Sequence, residues 1–293
     1  MTAPPVRATV AGARPVDGRP RARPSDGPIA KRAGLRWWDG RVFWGVVGVA
    51  ATLVVVEVVA RVGAVPRRYM PTVAEIATAL VGRLGRADLW AALGATATGW
   101  LVGMLLAVAG GIVSGLALGL HPVVRAATAS TVDFLRPVPS VAFIPVVVLL
   151  YGTGLASKLV LVVYAALWPV LLQVVYGIRE VDPVARDTAR ALRLGPLARL
   201  RHLVWPATLP FAATGIRLSA SVALVLCVAS EMIIGNPGLG SEIAAAKDGG
   251  AIPDMYALIL LAGLLGIAVN VAVRLALHAL LRHHPPDAAG RPA

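Results

Sequence analysis

Six stretches of the chain are apolar over lengths that suit a membrane crossing, with polar and charged positions gathered between them. A spanning helix needs about 20 such residues, at about 1.5 Å rise each, to cover about 30 Å of hydrocarbon. Val42–Ala60 is the first, interrupted only by Glu57. Leu89–Leu120 carries no charge and is read as one long helix, entering near residue 95 and ending before His121. Pro137–Ser157 is the third, Leu159–Ile178 the fourth, bent by Pro169. Leu209–Ile234 is the fifth, with Arg217 and Glu231, and Met255–Leu281 the sixth, with Arg274 near its end. Between the first two, Val73, Ile76, Ala77, Leu80, Val81 and Leu84 recur at helical spacing. That pattern predicts an amphipathic helix over Val73–Leu84, lying on the outer surface. Residues 1–41 have no apolar period and are rich in Pro, Gly and Ala, so they read as a disordered basic tail. The tail is too long, and lacks the small-residue site, for a cleaved signal peptide. Trp37 and Trp38 close it as interfacial anchors.

Composition sharpens this picture. Hydrophobic residues make up 57% and charged residues 15% of the 293 positions, with a mean hydropathy of +0.75. Soluble domains carry about 25% charged residues, so an ordinary soluble enzyme is excluded. The single cysteine, Cys227, excludes a disulfide framework and a Cys-based zinc site; it reads as a small buried side chain. The formal charge of +13 reflects topology rather than nucleic acid, because Lys and Arg accumulate on the cytoplasmic side. With six spans and both termini inside, the inner segments hold nineteen basic residues against seven outside, although five arginines between 61 and 86 run against the bias. No Gly-x-x-x-x-Gly-Lys-[Ser/Thr] phosphate-binding loop is present.

Isolated residues are weighed by what the bilayer charges for them. A charge near the bilayer centre costs about 2.5–3.5 kcal/mol, so Glu57, Arg217 and Arg274 are read as structural. Glu231 lies deep in the fifth span before the Gly/Pro-rich stretch 235–240. It gates a pathway, pairs with a basic group, or bounds the outer mouth. Pro137, Pro139 and Pro145 free backbone groups in the third span, which is tolerated where protein or a watery cavity covers them. A pore lining and a packing kink both remain open there. Gly99, Gly103, Gly111, Gly115 and Gly119 share one face of the second span; packing within the bundle is preferred to a dimer contact. His283 and His284 lack a third ligand and read as solvated tail, with no metal site.

The longest inner loop, Val184–Pro206, is not polar throughout. Asp187–Leu194 reads as a helix of good formers. Gly195-Pro196 stops it and opens a second short helix, which Pro206 and Pro210 end before the fifth span. Its apolar residues bury against the protein's own spans or against a partner.

This segment resembles the cytoplasmic loop of binding-protein-dependent ABC importer permeases, whose pattern is Glu-Ala-Ala, three residues, Gly, nine residues, Ile-x-Leu-Pro. Glu-Ala-Ala falls on Asp187, Thr188 and Ala189; the Gly falls on Arg193; Ile-x-Leu-Pro falls on Leu203, Val204, Trp205 and Pro206. Arg193 departs from the pattern, and with Gly195 two positions on, a shifted turn is the expectation. Phe134–Pro145 with Tyr151-Gly152-Thr153-Gly154, and Ser230-Glu231-Met232-Ile233 with Gly238-Leu239-Gly240, resemble the nitrate/sulfonate/taurine branch. The resemblance covers roughly residues 65–282.

The resemblance implies an all-α integral membrane protein with six transmembrane helices in the MetI-like permease architecture, in the bacterial inner membrane, both termini cytoplasmic. It implies a tail over 1–41, a first helix and extracytoplasmic segment over 42–88, a core permease domain over 89–282 with a coupling loop at 179–208, and a tail over 283–293. The implied partners are a cytoplasmic ABC ATPase dimer holding ATP and Mg, an extracytoplasmic solute-binding protein and a second permease copy; no cofactor, catalytic residue or nucleic acid is expected on this chain. The expected coupling residues are Asp187, Thr188, Ala189, Arg193, Gly195, Leu203 and Pro206. The expected pathway residues are Pro139, Pro145 and Glu231. The implied solute is a small anion such as a sulfonate, taurine or nitrate, moved inward by alternating access. The reading from another class is a secondary transporter or channel driven by an ion gradient. It calls for clustered mid-membrane ionisable residues and internal repeats, against only Glu57 and Glu231 here.

Overall fold

The computed structural model describes residues 41–281 apart from positions 64 and 67. The N-terminal tail with Trp37 and Trp38, and the His283-His284 pair, lie outside the described residues. The chain divides into two compact units, one to Ala50 and one from Ala51. In the first, the described residues form the start of α1 (Arg41–Val62), where Phe43 meets Trp44 edge-on. The second unit holds the rest of α1 and all the later elements.

Every described element there is helical. After α1 come α2 (Val73–Leu84), α3 (Ala87–Leu120), α4 (Pro122–Leu135), a 3₁₀ turn (Ser140–Phe143), α5 (Ile144–Tyr151) and α6 (Leu155–Arg179). Then follow α7 (Pro183–Ala191), the single turn α8 (Pro196–Arg199), a π-turn (Leu200–Val204), α9 (Trp205–Ile234), α10 (Leu239–Asp248) and α11 (Ile252–Leu281). Among the described residues, five helical runs are long and apolar enough to cross a membrane, and a sixth if α4 and the Ser140–Tyr151 segment count as one span bent by 86°.

That bend corrects the expected third span. Pro137–Ser157 is not one crossing helix: α5 has only 8 residues, about 12 Å at helical rise. Proline lacks the N–H that continues a helix, so Pro137 and Pro139 break the chain after α4. Pro145 sits in the first turn of α5, where that N–H is unpaired anyway. Gly152 at φ +73 then ends α5. Two other boundaries move. α3 starts at Ala87, two residues before the apolar run at Leu89; in its first turn the Asp88 carboxylate accepts from the Leu89 N–H at 3.0 Å and pairs with Arg86 at 2.9 Å. Pro206 does not end a helix but stands in the first turn of α9, so the run Pro196–Ile234 is continuous. The π-turn, with the Trp205 N–H bonded back to the Leu200 carbonyl, carries the helix through.

The core lies where α3, α6 and α9 cross. Met104 and Ala107, Val162 and Ala166, and Ala220, Ala223 and Cys227 close on one another. The glycine face of α3 fits this contact: a Cβ at Gly111 would sit 2.7 Å from the Val170 Cβ, and one at Gly115 2.7 Å from the Val174 Cβ. The preference for packing within the bundle holds, since α6 fills that face. α2 matches its expected bounds and is fixed by a capping box, with the Thr72 N–H on Glu75 at 2.8 Å and the Glu75 N–H on Thr72 at 3.3 Å. Arg83 ties α2 to α11 and α10 through Asp254 at 2.6 Å and Glu242 at 3.3 Å. The Asp254 hydrogen bond raises the Arg83 pKa above its already high ordinary value, against the opposing effect of burial. Glu57 has the structural role expected: it pairs with Arg61 at 2.6 Å and accepts from the Val73 N–H at 2.7 Å.

Candidate functional site

Three arrangements concentrate the chemistry. The first is the hairpin after α6. α7 opens on Pro183, with the Asp182 carboxylate accepting from the Val184 N–H at 2.8 Å. Asp182, not Asp187, therefore caps this helix. Asp187 lies in the second turn, exposed, and pairs with Arg190 at 2.9 Å. The helix ends in a Schellman turn: the Leu194 N–H reaches the Ala189 carbonyl at 3.1 Å and the Arg193 N–H the Arg190 carbonyl at 2.9 Å. The C′ residue of such a turn takes the left-handed conformation that glycine favours. Here it is Arg193, at φ +51, the only non-glycine with positive φ among the described residues. The turn has not shifted to Gly195, whose φ of −63 any residue adopts.

Thr188, Ala189, Leu194 and Leu203 line a shared groove of about 470 Å³ beside α7. Asp187, Arg193, Gly195 and Pro206 lie off it. Ala189 is the buried residue of α7. Val184, Leu192 and Leu197 are 71%, 68% and 75% exposed. Sequence reasoning did not single out these three, although Val184 and Leu192, eight residues apart and so close to one helical face, were there to find.

The second is a cavity of about 500 Å³ between the bent third segment, α6 and α9. Arg136, Pro139, Ser140, Tyr164, Trp168 and Gln173 are on its wall. Arg136 is its one formal charge. The Trp168 indole N–H is buried without an acceptor among the described residues, and the Tyr164 hydroxyl donates to the Leu135 carbonyl at 2.8 Å. Of the expected pathway residues, Pro139 lines this cavity; Pro145 and Glu231 do not. Arg136 and the aromatic residues were missed, yet 164, 168 and 176 follow the four-residue repeat of one helical face.

The third surrounds Glu231, which is fully buried. Lys158, 2% exposed, puts its Nζ 2.8 Å from Glu231 Oε1. Oε2 accepts from the Thr96 hydroxyl at 2.9 Å and the Gly240 N–H at 3.0 Å. Lys158 also reaches the Pro237 carbonyl at 3.3 Å, and Thr96 accepts from the Leu239 N–H at 2.8 Å. The group thus ties α3, α6 and α9 to the segment that starts α10. Of the three readings left open for Glu231, pairing with a basic group is the one observed.

A family model described as the inner membrane component of binding-protein-dependent transport systems matches residues 107–283. The taurine transport system permease protein TauC of Escherichia coli is 32% identical over 201 residues, 68% of this chain and 71% of that protein. The nitrate import permease protein NrtB of Leptolyngbya laminosa is 27% identical, over 59% of this chain and 62% of its own length. The bicarbonate transport system permease protein CmpB of Synechococcus elongatus is 25% identical over 64% of this chain and 68% of its own. Two crystal forms of the MetNI methionine ABC transporter in inward-facing conformations contain a chain of similar fold. Their TM-scores are 0.53 and 0.55 at 19% and 20% identity, covering 63% and 66% of this chain and 94% and 96% of theirs.

Proposed function

This chain belongs to the family of inner membrane components of binding-protein-dependent transport systems, and from that premise we propose that it is the permease subunit of an ATP-driven importer for a small anion. In this reading two copies form the pathway and both termini face the cytoplasm. A separate ATPase pair binds ATP and Mg and docks on the hairpin, and an extracytoplasmic protein delivers the solute. The expected coupling residues Asp187, Thr188, Ala189, Arg193, Gly195, Leu203 and Pro206 keep that role, with Val184 and Leu192 added as apolar contacts.

One observation carries the proposal: the second arm of the hairpin is continuous with α9 from Pro196 to Ile234. A displacement of α7 by a closing ATPase pair is a rigid-body movement, and this continuity passes it into the core without a flexible joint. The Schellman turn at Arg193 joins the two arms. The anion reading rests on Arg136, the lone charge on the cavity wall. Taurine, nitrate and bicarbonate in the names of the relatives point the same way.

The test places single cysteines along 184–193 in a Cys227→Ser background and crosslinks them to a candidate ATPase. Positions 184, 188 and 192 are expected to react, since they share a face. No reaction at any position, in correctly inserted protein, rejects the docking role.

A further inference from the structure

On the opposite side of α7 lies a second cleft, of about 600 Å³. At about 100° per residue, Arg186 is about 200° round the helix from Val184, and Arg190, four residues on, shares its side. Arg186, Arg190 and Arg199 line the cleft together with His121, and no acidic residue does. Arg186 donates to the Ile178 carbonyl at the end of α6. Neither it nor Arg199 has an acidic partner among the described residues. The Arg199 Nε is buried with no hydrogen-bond partner among the described residues, which a folded protein rarely leaves so. Among the described residues the one ion pair here, Arg190 with Asp187, is solvent-exposed on both sides. The rest of the lining is apolar: Leu120, Ile178, Leu200 and Val204, at the ends of α3 and α6 and the start of the α9 run.

Three guanidinium groups over an apolar floor, at the level where spanning helices end, suit a phosphate ester whose acyl chains continue along the helices. We propose that this cleft binds the headgroup phosphate of an anionic phospholipid. The inference rests on the reading that the hairpin lies at the cytoplasmic face of the membrane. An acidic protein surface would meet the same arginines but would leave the apolar floor uncovered, so the lipid is favoured.

The experiment uses the full chain in nanodiscs of phosphatidylcholine with phosphatidylglycerol, followed by native mass spectrometry of the lipid retained in detergent. Retained phosphatidylglycerol is expected to fall at least about tenfold in Arg186→Gln/Arg190→Gln/Arg199→Gln, each guanidinium that meets the headgroup in the cleft contributing about a factor of five. It should stay within twofold in a charge-matched control, Arg179→Gln/Arg201→Gln/Arg274→Gln. Arg190→Gln/Arg199→Gln, which keeps the Arg186 contact to Ile178, guards against a folding defect and should still lose most of the lipid. Equal retention of phosphatidylcholine overturns the proposal. So does displacement by excess inorganic phosphate, which would assign a free-anion site. Unchanged lipid with lost ATPase co-purification would assign the cleft to a protein contact instead. Impermeant labelling of a cysteine at 193, in right-side-out and inverted vesicles, tests the placement of the hairpin separately.

Discussion

Lys158 and Glu231, 73 residues apart in sequence, meet at 2.8 Å with almost no solvent exposure, on α6 and α9. The carboxylate is saturated by Thr96 and the Gly240 N–H as well. A buried pair gains little over an apolar replacement, but losing one partner leaves an uncompensated charge. Lys158→Met or Glu231→Gln alone is therefore expected to lower stability by about 3–5 kcal/mol. The double variant should be less destabilised than the sum of the two, by about 1 kcal/mol or more. Thermal unfolding in detergent reads both; strict additivity would mean the pair does not interact.

Arg193 bears the strain of its turn. A non-glycine residue in the left-handed region costs about 1–2 kcal/mol, so Arg193→Gly is expected to raise stability by about 1 kcal/mol. Gly195→Ala should change it by less than about 0.5 kcal/mol, because its backbone is ordinary and nothing lies within 4 Å of the added Cβ. The reverse order of effects in a melting experiment would place the turn at Gly195.

Close contact of α3 with α6 is tested by alanine. At Gly111 a methyl group would meet Val170 at 2.7 Å and the Leu167 carbonyl at 3.1 Å, an overpacking that costs about 1–3 kcal/mol. At Gly94, on the same helix, nothing lies within 4 Å. Alanine there should be neutral or stabilise by up to about 1 kcal/mol. Similar melting temperatures for the two variants would contradict this packing.

The cavity charge predicts a functional effect with little structural one. Arg136→Gln is expected to reduce anion uptake about tenfold or more, since hydrogen bonds to charged groups are worth about 1.5–3 kcal/mol. Arg136→Lys should keep much of the rate. Uptake in proteoliposomes with ATPase and binding protein measures this; unchanged transport in Arg136→Gln would remove the cavity from the pathway.

Much of the architecture was legible along the chain. Long apolar runs located α3, α6 and α11, and helical spacing gave α2 within its observed bounds. Hydropathy alone misread Pro137–Ser157, because it does not weigh the three prolines against helix continuity. The motif spacing put the turn residue at Arg193, while residue type pointed to Gly195; backbone geometry favours the spacing. Lys158 was visible only as a charge on an outer segment. Its partnership with Glu231 depends on how α6 crosses α9, which no local pattern encodes. Arg136 was hidden for the same reason, since the 86° bend brings it to the same cavity wall as Tyr164 and Trp168.

Solute uptake into proteoliposomes, with and without the ATPase, bears most directly on the coupling role of the hairpin. The predicted result is uptake that needs the ATPase, ATP and the loaded binding protein together, and that collapses when Val184 and Leu192 are both changed to Asp in a protein that still inserts. Uptake at full rate with no ATPase present would contradict the account.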